Sequence, residues 1–225
     1  MKTYTDATIK VLNKSEVGYT LLNDEKCCGA PLYNLGYRSE ALALAMVNLE
    51  NLRRAGCKVL VSPCLECIKT FKIDYSLWGL QDTKSFEIFH ISEFILKLMD
   101  KGSLKQNKAL NMTFAYHDDC HMSRGLEICD EPRFLLNRIQ GIKLVELEWT
   151  RDYAHSCGAG GGFQFTNPDV AKIAARKLLL EEAQSLGVEA IVTASASCKH
   201  HLLSAKTSDD KLEVLHIMEV VVQAL

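Results

Sequence analysis

Residues 27–72 read "CCGAPLYNLGYRSEALALAMVNLENLRRAGCKVLVSPCLECIKTFK", and residues 156–203 read "SCGAGGGFQFTNPDVAKIAARKLLLEEAQSLGVEAIVTASASCKHHLL". Both stretches run through the same features. A cysteine–glycine loop leads into a helix-forming run, then a β-branched run, a turn holding cysteine, and a second helix-forming run. Each is followed by a matching tail, "FEIFHISEFILKLM" at 86–99 and "LEVLHIMEVVVQAL" at 212–225. Residues 86–94 align with 212–220 without a gap. The step from Cys28 to Cys67 is 39 positions, and that from Cys157 to Cys198 is 41. Repetition on this scale indicates one supersecondary unit present twice, so two pseudo-symmetric halves are expected.

Local signals give the unit its elements. Leu42, Ala45, Met46, Leu49 and Leu52 recur at helical spacing over 39–55, with Ser39 as the expected cap and Gly56 as the stop. Residues 168–187 repeat this, with Asn167 as cap, Pro168 in the first turn and Gly187 as stop. "KVLVS" at 58–62, "AIVTA" at 190–194, "TFAYH" at 113–117 and "KLVEL" at 143–147 read as strands. Strands alternating with helices predict an α/β fold of two pseudo-symmetric βα repeats with partly parallel sheets. In such folds the loops at the C-terminal ends of strands carry the chemistry. The polar run "KGSLKQNKALN" has the composition of a linker at 101–111, between a first repeat over 1–100 and a second over 112–225.

Bulk properties narrow the function. The chain has 225 residues, is 48% hydrophobic, and carries a net charge of −2 with a pI near 6.4. That balance offers no electrostatic footprint for nucleic acid. No apolar run approaches the roughly 18 residues of a membrane span, so no direct span is expected. The start, "MKTYTDATIKVLNKSE", is polar and mixed in charge, unlike a secretory signal, which leads to a cytoplasmic expectation. Reducing conditions keep thiols free, so nine cysteines point to metal ligation or redox chemistry rather than disulfides.

Cys64 and Cys67 form a C-x-x-C directly after "VLVS", where a helix N-terminus favours thiolate. Taken alone, this pair fits a redox dithiol, half a zinc site or half an iron–sulfur site. Cys27 and Cys28 add two sulfurs, and Gly29 allows the bend that would turn both towards one cluster. The second half offers Cys120, Cys157 and Cys198, with Ser156 and Ser195 where the repeat has Cys27 and Cys64. Three thiolates fall one short of the usual four for a cubane. His121, His155, His200 and His201 are candidates for a fourth ligand or a proton carrier. His117 could orient the cysteine loop, and the matching His90 and His216 suit packing or capping. "GAGGG" at 158–162 lacks the spacing of a phosphate loop and suits close approach of backbone to a cluster or substrate. Cys57 and Cys129 have no repeat partner and read as small buried apolar groups.

Cys27-Cys28-Gly29 followed by Cys64-x-x-Cys67 resembles the cysteine-rich CCG domain. So do "YHDDCHMSRG" at 116–125 and "GIKLVELEWTRDYAHSCGAGGG" at 141–162. That domain occurs, usually twice, in the B- and D-type subunits of heterodisulfide reductase. It also occurs in the iron–sulfur subunits of glycolate oxidase, glycerol-3-phosphate dehydrogenase and lactate-utilisation systems. The resemblance maps Cys27, Cys28, Cys64 and Cys67 onto a first ligand motif and Cys120, Cys157 and Cys198 onto a second. It implies one or two iron–sulfur clusters of [4Fe-4S] type, with zinc as an alternative at one site. The family motif opens with a lone cysteine well upstream of the adjacent pair, a position that falls before Met1. The implied function is an oxidoreductase subunit active in a complex, passing electrons to or from a disulfide, quinone or carrier. Two alternatives stand beside it: an electron-transfer subunit of a flavin-dependent 2-hydroxyacid or glycerol-3-phosphate dehydrogenase, and a zinc-bound or metal-free interaction module. The implied partners are a flavoprotein or ferredoxin-like iron–sulfur subunit, and a membrane-anchored cytochrome.

Overall fold

A computed structural model gives the structure of the chain and describes residues 2–22, 24–80 and 85–225. Among these residues run six strands: β1 (Val59–Ser62), β2 (Glu87–His90), β3 (Met112–His117), β4 (Ile142–Glu146), β5 (Ala190–Thr193) and β6 (Glu213–His216). β1 and β2 form one sheet, and the other four form a second in the order β4-β3-β5-β6. Every pairing is parallel, as strands separated by helical crossovers require. The α/β expectation holds, with sheets that are wholly parallel. Among the described residues, no helix is long and apolar enough to cross a membrane.

The repeat is visible in the strand register. Val59 pairs with Glu87 and Ser62 with His90, just as Ala190 pairs with Glu213 and Thr193 with His216. Each of these second strands ends in a histidine that caps the next helix. His90 opens Ile91–Asp100 and accepts the Ser92 N–H at 3.3 Å, while Glu93 accepts the His90 N–H at 2.8 Å. His216 opens Ile217–Gln223 and accepts the Met218 N–H at 3.2 Å, while Glu219 accepts the His216 N–H at 2.7 Å. This is a reciprocal capping box with imidazole in place of hydroxyl.

The helix expected over 39–55 spans Arg38–Arg54. Tyr37, not Ser39, stands at its start, and its side chain makes no capping bond. Its buried face is Ala41, Ala45, Asn48, Leu49 and Leu52, while Met46 is 61% exposed. Asn48 displaces an apolar residue because its amide is fully used. It accepts the Lys26 N–H at 2.9 Å and donates to the carbonyls of Lys26 and Cys27 at 3.1 and 3.0 Å. The counterpart helix begins at Pro168, as expected, and passes through a π turn, Arg176–Leu180, before ending at Ser185.

The largest apolar cluster is shared by the halves. Val11, Ile91, Ile95, Leu135, Leu136 and Ile217 pack there with Phe114 of β3. Each half adds a flank under its own long helix. The polar run 101–111 contributes buried Leu104 and Leu110 to the shared cluster, and the Asn107 and Lys108 N–H groups both donate to the Ala224 carbonyl. Arg133 locks the end of β3 to β4. Its guanidinium is almost fully buried, gives Asp118 two bonds of 2.7 Å, and gives Glu146 bonds of 2.6 and 2.8 Å.

Two outcomes follow from this packing. Arg133→Met leaves the Asp118 carboxylate buried without its cation and should destabilise the fold by about 3–5 kcal/mol in chemical denaturation. The second concerns acid. Burial lowers the His90 pKa to about 3 and the His216 pKa to about 4, so both caps are neutral in the folded state. The unfolded imidazoles titrate near 6.5, so the unfolded chain binds protons first as pH falls. Stability should therefore drop between about pH 6.5 and 4, by roughly 3 kcal/mol from His216 alone. Paired His90→Asn and His216→Asn substitutions, which keep a capping acceptor, should flatten that slope in pH-dependent melts.

Candidate metal centre

In each half one glycine sets the geometry of the cysteine loop. Gly29 has φ +88°, and a Cβ built there would lie 2.8 Å from the Ala41 carbonyl oxygen. Gly158 has the same φ and would meet the Ala171 carbonyl oxygen at the same distance. Only glycine tolerates both the left-handed backbone and this approach to the long helix. The turn sends the preceding cysteines back towards the strand-end loop. Cys64 stands at the N-cap of Leu65–Lys69, and Cys67 lies in the first turn of that helix.

In the first half the four expected thiols come together. These thiols lie close enough to act on one another electrostatically, Cys27 on Cys28, Cys28 on Cys67, and Cys67 on Cys64. Cys27 is exposed, Cys28 is buried, and Cys64 and Cys67 lie between. Bonds donated by Cys27 and then Cys67 lower Cys28 to about 3, with the Ala30 N–H and Thr70 hydroxyl assisting against burial. Tyr75 donates its hydroxyl to the Cys28 carbonyl at 3.0 Å, fixing that residue from below. Four converging sulfurs with backbone N–H donors at helix starts are the donor set a four-iron cluster takes.

The second half places its residues differently. Cys157 and Cys198 lie with their Sγ atoms 2.8 Å apart, and Cys198 donates to Asp119 Oδ2 at 3.0 Å. The Cys198 contact holds Cys157 well below an ordinary thiol pKa, against burial, while that same contact, burial and the Asp119 carboxylate push Cys198 well above it. His117, fully buried at the end of β3, brings a ring nitrogen to a position where it and the two sulfurs all lie within 4.8 Å of one another. Neither nitrogen of His117 has a hydrogen-bond partner among the described residues. Cys120 lies beside the same loop, 3.9 Å from where a Cβ on Gly160 would sit. The two serines are engaged with backbone. Ser156 accepts the Gly158 N–H at 3.2 Å, and Ser195 caps its helix by accepting the Cys198 N–H at 3.3 Å. His117, Cys157 and Cys198 form a three-membered N/S donor set of the kind zinc takes, whereas Cys120 groups with Asp119 and His121, whose ligand atoms also lie within 4.8 Å of one another.

The expected histidines divide accordingly. His121 is tied to Asp119, whose carboxylate lifts its pKa to about 11 although burial opposes this. His155 sits against the Trp149 ring, with centroids 5.5 Å apart. His200 is exposed, and His201 is buried in the helix Ala196–Ala205. Of these histidines only His117, read as an orienting residue, is clustered with the Cys157–Cys198 thiols. Its signal is its position at the strand's last residue. Asp119 and Glu66 carry no such signal in the sequence. Burial raises the Glu66 carboxyl, and the groups it next senses are His121 and Asp119 of the second half and Cys28 of the first. Glu66 thus lies between the two thiol sites. The halves also meet at the glycine run, where a Cβ on Gly162 would strike the Leu35 side chain.

Comparison with known proteins identifies the family. The family described as Cysteine-rich domain (CCG) matches residues 1–72 and 114–203. The D-type subunit of dihydromethanophenazine:CoB–CoM heterodisulfide reductase from Methanosarcina acetivorans is 33% identical over 224 residues, covering 97% of this chain and 54% of that protein. The B-type subunit of fumarate reductase (CoM/CoB) from Methanothermobacter marburgensis is 30% identical, covering 95% of this chain and 42% of that protein. EtfAB:quinone oxidoreductase from Syntrophomonas wolfei is 32% identical over 158 residues, covering 70% of this chain and 21% of that protein. The chain spans about half the length of the first relative and less of the other two. On the strength of the doubled thiol loops and these relatives, the chain belongs to the CCG cysteine-rich domain family of iron–sulfur redox subunits.

Proposed function

We infer that this chain is the electron-transfer part of an oxidoreductase complex that exchanges electrons with a disulfide, a quinone or a protein carrier. The observation that carries this reading is the convergence of Cys27, Cys28, Cys64 and Cys67 from two loops at helix starts. These four thiolates would hold a single [4Fe-4S]-type cluster, which when bound supplies reversible one-electron storage. The protein's own part is to hold and tune. The Gly29, Ala30 and Cys67 N–H groups are directed at the Cys27, Cys28 and Cys64 sulfurs, and such donors raise a cluster's potential by offsetting thiolate charge. Cys27, at the surface, is the ligand nearest an incoming redox partner.

The second site has a different role in this reading. His117, Cys157 and Cys198, with Cys120 beside them, would hold a zinc ion, or a cluster completed by the imidazole. Serine at 156 and 195, where the first half has Cys27 and Cys64, favours zinc, since a neutral hydroxyl is a poor ligand for a cluster. Heterodisulfide cleavage at two equivalent clusters therefore fits this chain less well than relay through one. Partner subunits would supply the flavin or the further clusters, because no nucleotide fingerprint occurs in the sequence.

Metal analysis of protein purified without oxygen tests this directly. About four irons with matching sulfide per chain are expected, and Cys67→Ser should remove most of the visible absorbance. His117→Ala should lower zinc and leave iron unchanged. Iron content unaffected by Cys67→Ser would refute the first assignment, and zinc unaffected by His117→Ala would refute the second.

A further inference from the structure

Cys157 and Cys198 stand at a spacing that lies between two defined chemical states. Their Sγ atoms are 2.8 Å apart. Two sulfurs bound to one tetrahedral zinc at about 2.3 Å lie about 3.8 Å from each other, whereas a disulfide bond holds them at about 2.0 Å. A shift of roughly 1 Å in either direction therefore reaches one state or the other. The pair is also sealed from solvent. Cys157 is 2% exposed and Cys198 3%, and both pack with Ala175, Leu179 and Leu202 in one apolar cluster. A neutral disulfide suits that lining without any partner, while two thiolates there need a cation.

The repeat shows why this pair is exclusive. Cys157 and Cys198 correspond to Cys28 and Cys67 of the first half. There each thiol has a second cysteine close by in the chain, Cys27 before Cys28 and Cys64 before Cys67. In the second half Ser156 and Ser195 stand at those positions. Each serine keeps a local backbone bond, Ser156 from the Gly158 N–H at 3.2 Å and Ser195 from the Cys198 N–H at 3.3 Å, but a hydroxyl cannot exchange disulfides. Cys120 has its Sγ 4.0 Å from His121 Nδ1 and groups with Asp119 and His121. Cys198 is held in turn by its bond to Asp119 Oδ2 at 3.0 Å. The pair is thus left without a competing thiol at either flanking position.

We propose that Cys157 and Cys198 form a redox-released metal site, in which a low-molecular-weight organic disulfide, R–S–S–R, oxidises the zinc-bound pair to a Cys157–Cys198 disulfide and the metal leaves. The zinc half of this cycle rests on the reading given under Proposed function, and the disulfide half does not. One protein sulfur attacks R–S–S–R, forms a mixed disulfide and expels one R–S group. The other protein sulfur then displaces the second R–S group and closes the bond. Two electrons pass from the protein sulfurs to the small disulfide, each departing R–S group takes a proton from water, and Zn2+ is released. The small molecule enters past the glycine run 158–162, which follows Cys157 directly and exposes Gly161. His117 stays buried at the end of β3, in place to receive the metal again. A reducing thiol runs the steps backwards and restores the site. The second half thereby senses a disulfide, one of the substrate classes proposed for the chain.

2-Hydroxyethyl disulfide serves as the probe, added without oxygen to the protein purified with its metals. A peptide map under non-reducing conditions should show Cys157 joined to Cys198, and a chromogenic chelator should record about one zinc released per link formed. Dithiothreitol should remove the link, after which added zinc should rebind. Ser156→Cys combined with Ser195→Cys restores the sulfurs of the first half and should divert at least about half of Cys157 and Cys198 into other links. The proposal is overturned if Cys157 and Cys198 can both still be alkylated in denatured samples taken once the exposed Cys27 has fully reacted. It is equally overturned if the two are found joined to 2-mercaptoethanol or to different cysteines. Zinc retained by such unlinked protein would remove the switch and leave the zinc reading standing. A link formed in protein that carries no zinc would support the pair's own chemistry and remove the zinc reading.

Discussion

The left-handed glycine behind each cysteine loop is the constraint on which the sites depend. At Gly29 and Gly158 the backbone turns at φ +88° and lies so close to the following long helix that a methyl group would sit 2.8 Å from a carbonyl oxygen. That contact anchors the loop to the helix, and the helix in turn sets where the next strand begins. The strand then ends at a cysteine or serine N-cap facing the loop. Thiols some 40 positions apart in sequence therefore meet because two rigid elements hold their loops, not because the cysteines attract one another. A substitution at either glycine would strain the backbone by roughly 1–3 kcal/mol and move the thiols as well.

From this common frame the halves have diverged in chemistry. In the first, cysteine stands at all four repeat positions, Cys27, Cys28, Cys64 and Cys67, and each thiol shifts the titration of its neighbours. In the second, two of those positions hold serine, whose hydroxyls satisfy the same backbone N–H groups and leave the fold unchanged. The lost sulfur is answered by an imidazole from the end of β3. A buried histidine with both nitrogens unpartnered carries a desolvation penalty that hydrogen bonding does not offset, and a bound metal ion would remove it. Asp119 accepts from Cys198 in the second site, and Glu66, raised chiefly by burial, senses both His121 of that half and Cys28 of the first.

The halves also differ in how their strands are flanked among the described residues. A central strand of a parallel sheet is buried on both faces, which is why β3 and β5 are rich in apolar residues. β1 has the sequence of such a strand, with three consecutive apolar residues, yet it stands at an edge. An apolar parallel edge is stable only when covered.

The amino-acid sequence by itself determined the repeat, the α/β alternation, the parallel sheet and the identity of the thiol ligands to be proposed. All of these rest on local periodicity, turn residues and spacing, which are properties of short stretches. Even the capping role of His90 and His216 was within reach, because the two occupy matching positions before a glutamate three residues on. Other features were decided only in three dimensions. Asn48 replaces an apolar residue on a buried helix face because a loop more than 20 residues away needs its amide. His117, rather than His121, His155, His200 or His201, joins Cys157 and Cys198, because β3 lies next to β5 and ends level with it. Pairing across a sheet and burial of polar groups are relations between distant segments, and the linear pattern records only what each segment could do alone.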